Sequence, residues 1–231
     1  MTDIKNIAIT GAKGTIGKVI VGGLSGEANY KLTELNLPEN DVRNYETVLQ
    51  MLAGKDVVIH LAWNTKTECD ESGKIDPDNT LMFANIYRAA VANGVKRVIM
   101  ASSVHADNYL TPDEGQVFRR EDTDLRPTCP YGVSKINLEN LGRFYSRTEG
   151  LEVICIRFGG VGADDEVLDE PNYERVWLSS RDCVSLVRDC IEADDIPNNF
   201  EIIYAVSNNR ERMHDYSNSV GWEPQDSCPE P

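Results

Sequence analysis

Residues 6–17 read NIAITGAKGTIG: a short apolar run, Asn6 to Thr10, passes directly into Gly11, Ala12, Lys13, Gly14, Thr15, Ile16 and Gly17. The run has the length and content of a buried strand, and the amphipathic segment Val19 to Leu24 that follows reads as a helix. Spaced glycines between a strand and a helix make an anion cradle. Gly11 allows the tight turn, Gly14 lets the backbone approach a pyrophosphate, and Gly17 lets helix and sheet pack closely.

Working outward, the same alternation repeats. Tyr30 to Leu35 is a strand, Tyr45 to Leu52 a helix, Asp56 to Ala62 (DVVIHLA) a nearly all-apolar central strand, and Asn79 to Asn93 a helix ended by Gly94. Val95 to Ser102 and Glu152 to Phe158 are strands, with a helix from Tyr131 to about Thr148 between them. A helix capped near Ser179 or Ser180 runs to about Ala193, Phe200 to Val206 is a last strand, and a short helix is expected near Glu211 to Val220. Any strand between Glu34 and Asp41 must be brief or missing. The pattern predicts an α/β fold with a doubly wound parallel sheet, one domain over residues 1–231. Trp63 to Asp78, Asp107 to Thr128 and Gly159 to Asn172 read as loops, the last two as substrate-side segments, 107–128 being either an ordered wall or a mobile lid.

Composition narrows the functional classes. With 26% charged and 41% hydrophobic residues the chain is ordinary for a globular protein, and no apolar run approaches the roughly 20 residues that span a bilayer. The start, Met1 to Lys5, shows no signal-peptide pattern, so a cytoplasmic location is expected. A net charge of −15 argues against nucleic acid or an anionic membrane surface as partner; solubility or adaptation to high salt would each explain it. Cys69, Cys129, Cys155, Cys183, Cys190 and Cys228 are scattered without a CxxC pair and read as free thiols. Cys183 and Cys190 share a helix face, as core packing would place them, and no metal site is expected.

Candidate chemistry gathers at three places. Tyr131 and Lys135, four residues apart, share one face of the helix that Pro130 introduces. A phenol needed as a base, with an ordinary pKa near 10, is helped by a lysine cation beside it. Ser102, Ser103, Val104 and His105 follow a strand, where α/β sheets bind ligands. Glu34, about 17 residues beyond Gly17, could accept the hydroxyls of an adenosine ribose and repel a 2′-phosphate, which favours NAD; the alternative is an exposed strand-end glutamate, and Asn36 lies close enough to confuse the register. His60, inside an apolar strand, reads as a packed core histidine.

TGAKGTIG, HLA, ASS and YGVSK, in that order and spacing, resemble the extended short-chain dehydrogenase/reductase family, which includes NAD-dependent sugar epimerases and dehydratases. SSVH, VWLSSRD (176–182), YAVSNN (204–209) and GWEPQD (221–226) are similar to the compact sugar dehydrogenases within it, the hexuronate dehydrogenases and archaeal short-chain-type glucose-6-phosphate dehydrogenases, which lack a large C-terminal substrate lobe. The resemblance implies Tyr131 as general base, Lys135 as its partner and ribose ligand, and Ser103 as the hydroxyl that orients substrate. It extends the NAD contacts to Thr15, Ile16, Asp41, Val42, Leu61 and Ala62, and the substrate contacts to Val104 and His105, with Asn79 as a support. Uronate enzymes commonly carry asparagine where this chain has Val104. The segment before Trp177 is short, leaving Arg175 as either a carboxylate or phosphate ligand or a surface arginine; Arg181 is a second candidate to offset the negative field. A homodimer through the helices around 79–92 and 131–145 is also implied. The implied activity is oxidation of the anomeric hydroxyl of a sugar, sugar acid or sugar phosphate to a lactone. An epimerase or dehydratase with tightly held NAD, and a non-catalytic NAD-sensing or scaffold protein, are the competing expectations.

Overall fold

The structure is a computed structural model and describes residues 4–68, 73–107 and 125–230. Six strands, β1 (Lys5–Thr10), β2 (Tyr30–Leu35), β3 (Val57–His60), β4 (Arg97–Ser103), β5 (Glu152–Phe158) and β6 (Phe200–Ala205), form one parallel sheet in the order β2-β1-β3-β4-β5-β6. No strand lies between β2 and β3 in the chain, so β2 is an edge. The chain steps from β1 outward to β2 and then returns to place β3 on the other side of β1. That reversal opens a crevice at the carboxyl ends of β1 and β3.

Helices cover both faces, as a parallel sheet requires. On one face α1 (Thr15–Leu24) packs against a later helix of residues 180–192, over Ile7, Ile9, Ile59, Ile154, Ile156 and Ile203. On the other, α2 (Tyr45–Met51), the four-residue α3 (Thr65–Glu68), α4 (Pro77–Ala92) and α5 (Pro130–Glu149) lie toward Ala8, Val58, Val98, Met100 and Val153. Local chemistry sets their ends. The Asn44 side chain caps α2, Asp76 caps α4 with Pro77 at its first turn, and Gly150 closes α5 in the left-handed region at φ 69°. After the one-turn α6 (Tyr173–Val176), α7 (Ser180–Glu192) begins at Ser179, whose hydroxyl accepts from the Asp182 amide.

Three short segments far apart in sequence close the carboxyl-terminal side. The buried Asp182 accepts from the Ser207 hydroxyl (2.6 Å) and the Gln225 and Asp226 amides (2.8 and 3.0 Å); Ser179 Oγ donates to Asp226 (2.6 Å), and Arg181 pairs with the same carboxylate. Trp222 then seats in the core, its indole N–H on Ser185 Oγ. VWLSSRD, YAVSNN and GWEPQD are therefore one structural clamp. Arg181 is exposed and committed to it.

The helix expected near Glu211 to Val220 does not form. Polar side chains take its backbone elsewhere: Asp215 accepts from the Ser217 amide, Glu201 of β6 from the Ser219 amide, and Asn218 from the Trp222 amide while donating to the Tyr216 carbonyl. Such bonds compete with a helical ladder. Cys183 and Cys190 are wholly buried in the α1/α7 layer, where burial raises both thiol pKa values. Among the described residues no helix is long and apolar enough to cross a membrane, and no group of three or more His, Cys, Asp or Glu could hold a metal.

Candidate active site

A cleft of about 530 Å³ occupies the crevice between β1 and β3, lined by Gly11, Lys13, Gly14, Leu35, Asn36, Asp41, Val42, Leu61, Ala62 and Trp63, among others. Gly11 takes φ +70° with its missing side chain facing the Ala62 amide, so only glycine fits that turn. A side chain at Gly17 would collide with the carbonyls of Gly11 and Ala12, which brings α1 tight against the loop. Gly17 thus packs rather than lines. Ile16 packs partly buried against the α1/α7 core, and Thr15 opens onto a separate groove between α1 and α7.

The strand-end acid departs from expectation. Glu34 is exposed and absent from the cleft lining; Asn36, two residues on, lines it and accepts from the Lys13 amide at 2.9 Å. β2 ends at Leu35, so Glu34 is still within the ladder, opposite Ile9, while Asn36 clears the strand and reaches the crevice. Asp41 also lines the cleft, but its carboxylate is gripped by Arg43, which in turn bonds Asp78 at 3.0 Å across the opening.

Beyond the cleft, the carboxyl end of β4 and the start of α5 come together. A side chain at Gly132 would collide with the His105 carbonyl, so the YG pair lets α5 start directly on the Ser103–His105 turn. Lys135 is buried and donates to the Ala101 carbonyl at 2.6 Å, with its ammonium 5.1 Å from the Tyr131 ring centre. Ser103 is buried at the end of β4, and its Oγ accepts from the His105 amide at 3.2 Å. The His105 ring lies edge-on to Tyr131 at 5.5 Å with Nδ1 2.8 Å from Thr128 Oγ1, and burial lowers its pKa. Trp63 joins this group to the cleft: it lines the cleft and meets Tyr131 edge-on at 6.0 Å.

Two candidate substrate contacts, Val104 and Arg175, are engaged with other residues in the structure. Val104 is buried with Val176, Tyr204 and Val206 in a small apolar cluster, because the turn after β4 points alternate side chains inward. Arg175, a half-buried side chain, pairs with Glu211 at 2.9 Å and Glu174 at 3.5 Å. Asn79 is structural: its amide oxygen accepts from the Asn64 amide (2.8 Å) and its nitrogen donates to the Asn64 carbonyl (2.9 Å), clamping the chain after β3. His60 is buried against Thr10 Oγ1 at 2.7 Å, and burial, joined by the positive charge of Lys135, pulls its pKa down to about 3. Residues 108–124, most of the expected substrate-side loop, and Cys69 lie outside the described residues.

Sequence reading missed a buried polar network behind α5. Glu139, one turn beyond Lys135, takes Arg157 Nε and Nη2 on its two oxygens (both 2.8 Å) and the Ser102 hydroxyl at 2.5 Å. Arg157 continues to Tyr204 Oη at 2.6 Å, which reaches the buried Asp107 at 3.4 Å. The available signal was an arginine inside the otherwise apolar run Val153 to Phe158.

Comparison with known proteins gives the family and similar folds. The model of the NAD dependent epimerase/dehydratase family matches residues 7–176. A NAD-dependent glucose-6-phosphate dehydrogenase of Haloferax volcanii is 30% identical over 97% of this chain and 94% of its own length. An L-arabinose 1-dehydrogenase (NAD(P)(+)) of the same organism is 29% identical, covering 96% of each chain. The crystal structure of uronate dehydrogenase from Agrobacterium tumefaciens superposes with a TM-score of 0.75 at 28% identity, over 97% of this chain and 86% of that one.

Proposed function

The chain belongs to the NAD dependent epimerase/dehydratase family, and on that premise we propose that it is an NAD-dependent dehydrogenase oxidising the anomeric hydroxyl of a pyranose sugar, sugar acid or sugar phosphate to a lactone. The observation that carries this reading is the meeting of Tyr131 and Lys135 with the cleft. A buried ammonium near the phenol favours the phenolate, and the pair adjoins the glycine-lined crevice through Trp63.

Bound NAD would supply the acceptor for the hydride that leaves the carbon bearing the hydroxyl. Gly11 and Gly14 offer the backbone for its pyrophosphate at the amino end of α1, and Asp41, Val42, Leu61 and Ala62 form walls for the rest. Tyr131 takes the hydroxyl proton as general base, and Lys135 holds it as phenolate while fixed by the Ala101 carbonyl. Ser103 and His105 are assigned to the substrate hydroxyl, and burial lowers the His105 pKa, which favours the neutral ring.

The test is to incubate the protein with NAD and a panel of aldoses, uronic acids and sugar phosphates while following NADH absorbance. Turnover with one class is expected; a folded protein that binds NAD yet oxidises none of them would sink the reading. Tyr131→Phe is expected to lower turnover by about 10²–10⁴-fold with NAD affinity retained, and unchanged turnover would refute the assignment of the base.

The same proposal includes a homodimer through α4 and α5, whose Leu81 (45%), Val133 (37%) and Phe144 (53%) are exposed apolar residues. Sedimentation giving the mass of one chain at micromolar concentration would exclude it.

A further inference from the structure

Trp63 is the side chain by which the cleft and the Tyr131–Lys135 pair touch. Its ring centre is 3.4 Å from Lys135 Nζ, its plane stands at 83° to Tyr131, and it stacks on Phe83 at 6.1 Å and 8°. The indole N–H donates to Glu68 Oε2 at 2.9 Å. Glu68 is fully buried, and its other oxygen accepts from the Ser134 hydroxyl at 2.7 Å and the Asp76 amide at 2.9 Å. Ser134 is Lys135's neighbour in α5. The indole is therefore held on three sides, by Phe83, by Glu68 and by α5 itself, with its face presented to the ammonium.

We propose that Trp63 is a positioning residue for the proton-transfer pair, its π face holding the Lys135 ammonium charged, dry and directed at Tyr131. The inference rests on the reading of Tyr131 as the base. The Ala101 carbonyl, the Trp63 face and the Tyr131 ring are among the groups that surround the ammonium, with His60 near enough to feel its charge and the His105 ring edge-on to Tyr131 at 5.5 Å. A cation over an indole is attracted by the ring quadrupole, most strongly where water is excluded, and Lys135 is only 2% exposed. Removing the ring admits water to the ammonium and lets it swing. Hydration screens its field at the phenol, so the phenol becomes harder to ionise. Trp63 touches no reacting atom in this arrangement; it acts through Lys135.

The experiment compares Trp63→Leu and the more adaptable Trp63→Met, which both remove the π face, with Trp63→Tyr, which keeps one. Ionisation of Tyr131 is read in the NAD complex from the ultraviolet phenolate band, as the difference between each protein and the same protein carrying Tyr131→Phe. Where a sugar is turned over, the acid limb of kcat/KM is read as well. The Leu and Met variants are expected to raise the Tyr131 midpoint by about one pH unit and to lower turnover at neutral pH by about tenfold, with Trp63→Tyr moving it by less than about half as much. An unmoved midpoint in whichever apolar variant folds overturns the proposal. So does an equal shift in Trp63→Tyr, which would mark simple packing. If no sugar is oxidised, the dehydrogenase reading fails while the phenol titration still decides the role of Trp63.

Discussion

The two halves of the sheet's carboxyl edge are built by different means. At β1 and β3 the floor of the cleft is closely approaching backbone, with Gly11 against the Ala62 amide and Leu61 and Ala62 running straight on from the strand, and side chains such as Asn36, Asp41 and Trp63 wall it. At β4, β5 and β6 it is made of side chains reaching across the fold, with Ser102, Glu139, Arg157 and Tyr204 joined in one buried network. A backbone site needs only small residues in the right order. A side-chain site needs partners that the chain supplies from anywhere.

The sharpest way to separate the halves is to cut the network. Arg157→Met leaves the Glu139 carboxylate buried with the Ser102 hydroxyl, and breaking a buried pair this way costs about 3–5 kcal/mol. Arg157→Met with Glu139→Leu removes both charges and is expected to recover most of that loss. Urea unfolding measures both. If the halves are independent, the double variant binds NAD as the wild type does but turns over sugar more slowly. A single variant costing less than about 1 kcal/mol would mean that the network does not hold this half together.

This difference also explains what could be read in advance. NIAITGAKGTIG and the Tyr131–Lys135 spacing are local, so their geometry follows from a strand, a turn and a helical repeat. The network joins residues 18 and 47 positions apart, and nothing in the sequence near Glu139 announces Arg157 or Tyr204. Trp63 is a single aromatic residue in a polar stretch; its role emerges only when α5 sets Lys135 against it. VWLSSRD, YAVSNN and GWEPQD marked a resemblance without revealing that they bind one another through Asp182 and Asp226. The absent helix after β6 has the same origin: Glu201, on a strand, captures the Ser219 amide that a helix would have used.

His60 lies on the seam between the halves and is expected to make the protein acid-sensitive. Its folded pKa of about 3 is below the ordinary 6.5, so the unfolded chain takes up a proton first as pH falls. Stability from keeping the ring neutral is complete above about pH 6.5 and is lost as pH drops toward 3, reaching a loss of about 2 kcal/mol by about pH 5. His60→Leu should flatten that part of the stability profile relative to wild type, whatever its effect at neutral pH. Parallel profiles for the two proteins between about pH 6.5 and 5 would exclude His60 as the source.

The smallest expected effect tests the cofactor half where sequence and structure part. If a backbone cleft ends at the residue that clears β2, the adenosine end is set by Asn36 and not by Glu34. Glu34→Gln, on an exposed side chain outside the lining, is expected to change the KM for NAD by less than about twofold, within the range of neutral surface substitutions. Asn36→Ala removes the acceptor of the Lys13 amide and one polar wall of the cleft, and should raise the KM for NAD by about three- to tenfold, the worth of about one hydrogen bond. Steady-state kinetics with saturating sugar separates the two positions. The reverse order, with Glu34→Gln the more damaging, would mean that the loop around Asn36 shifts when NAD binds and carries the strand-end carboxylate into the ribose position.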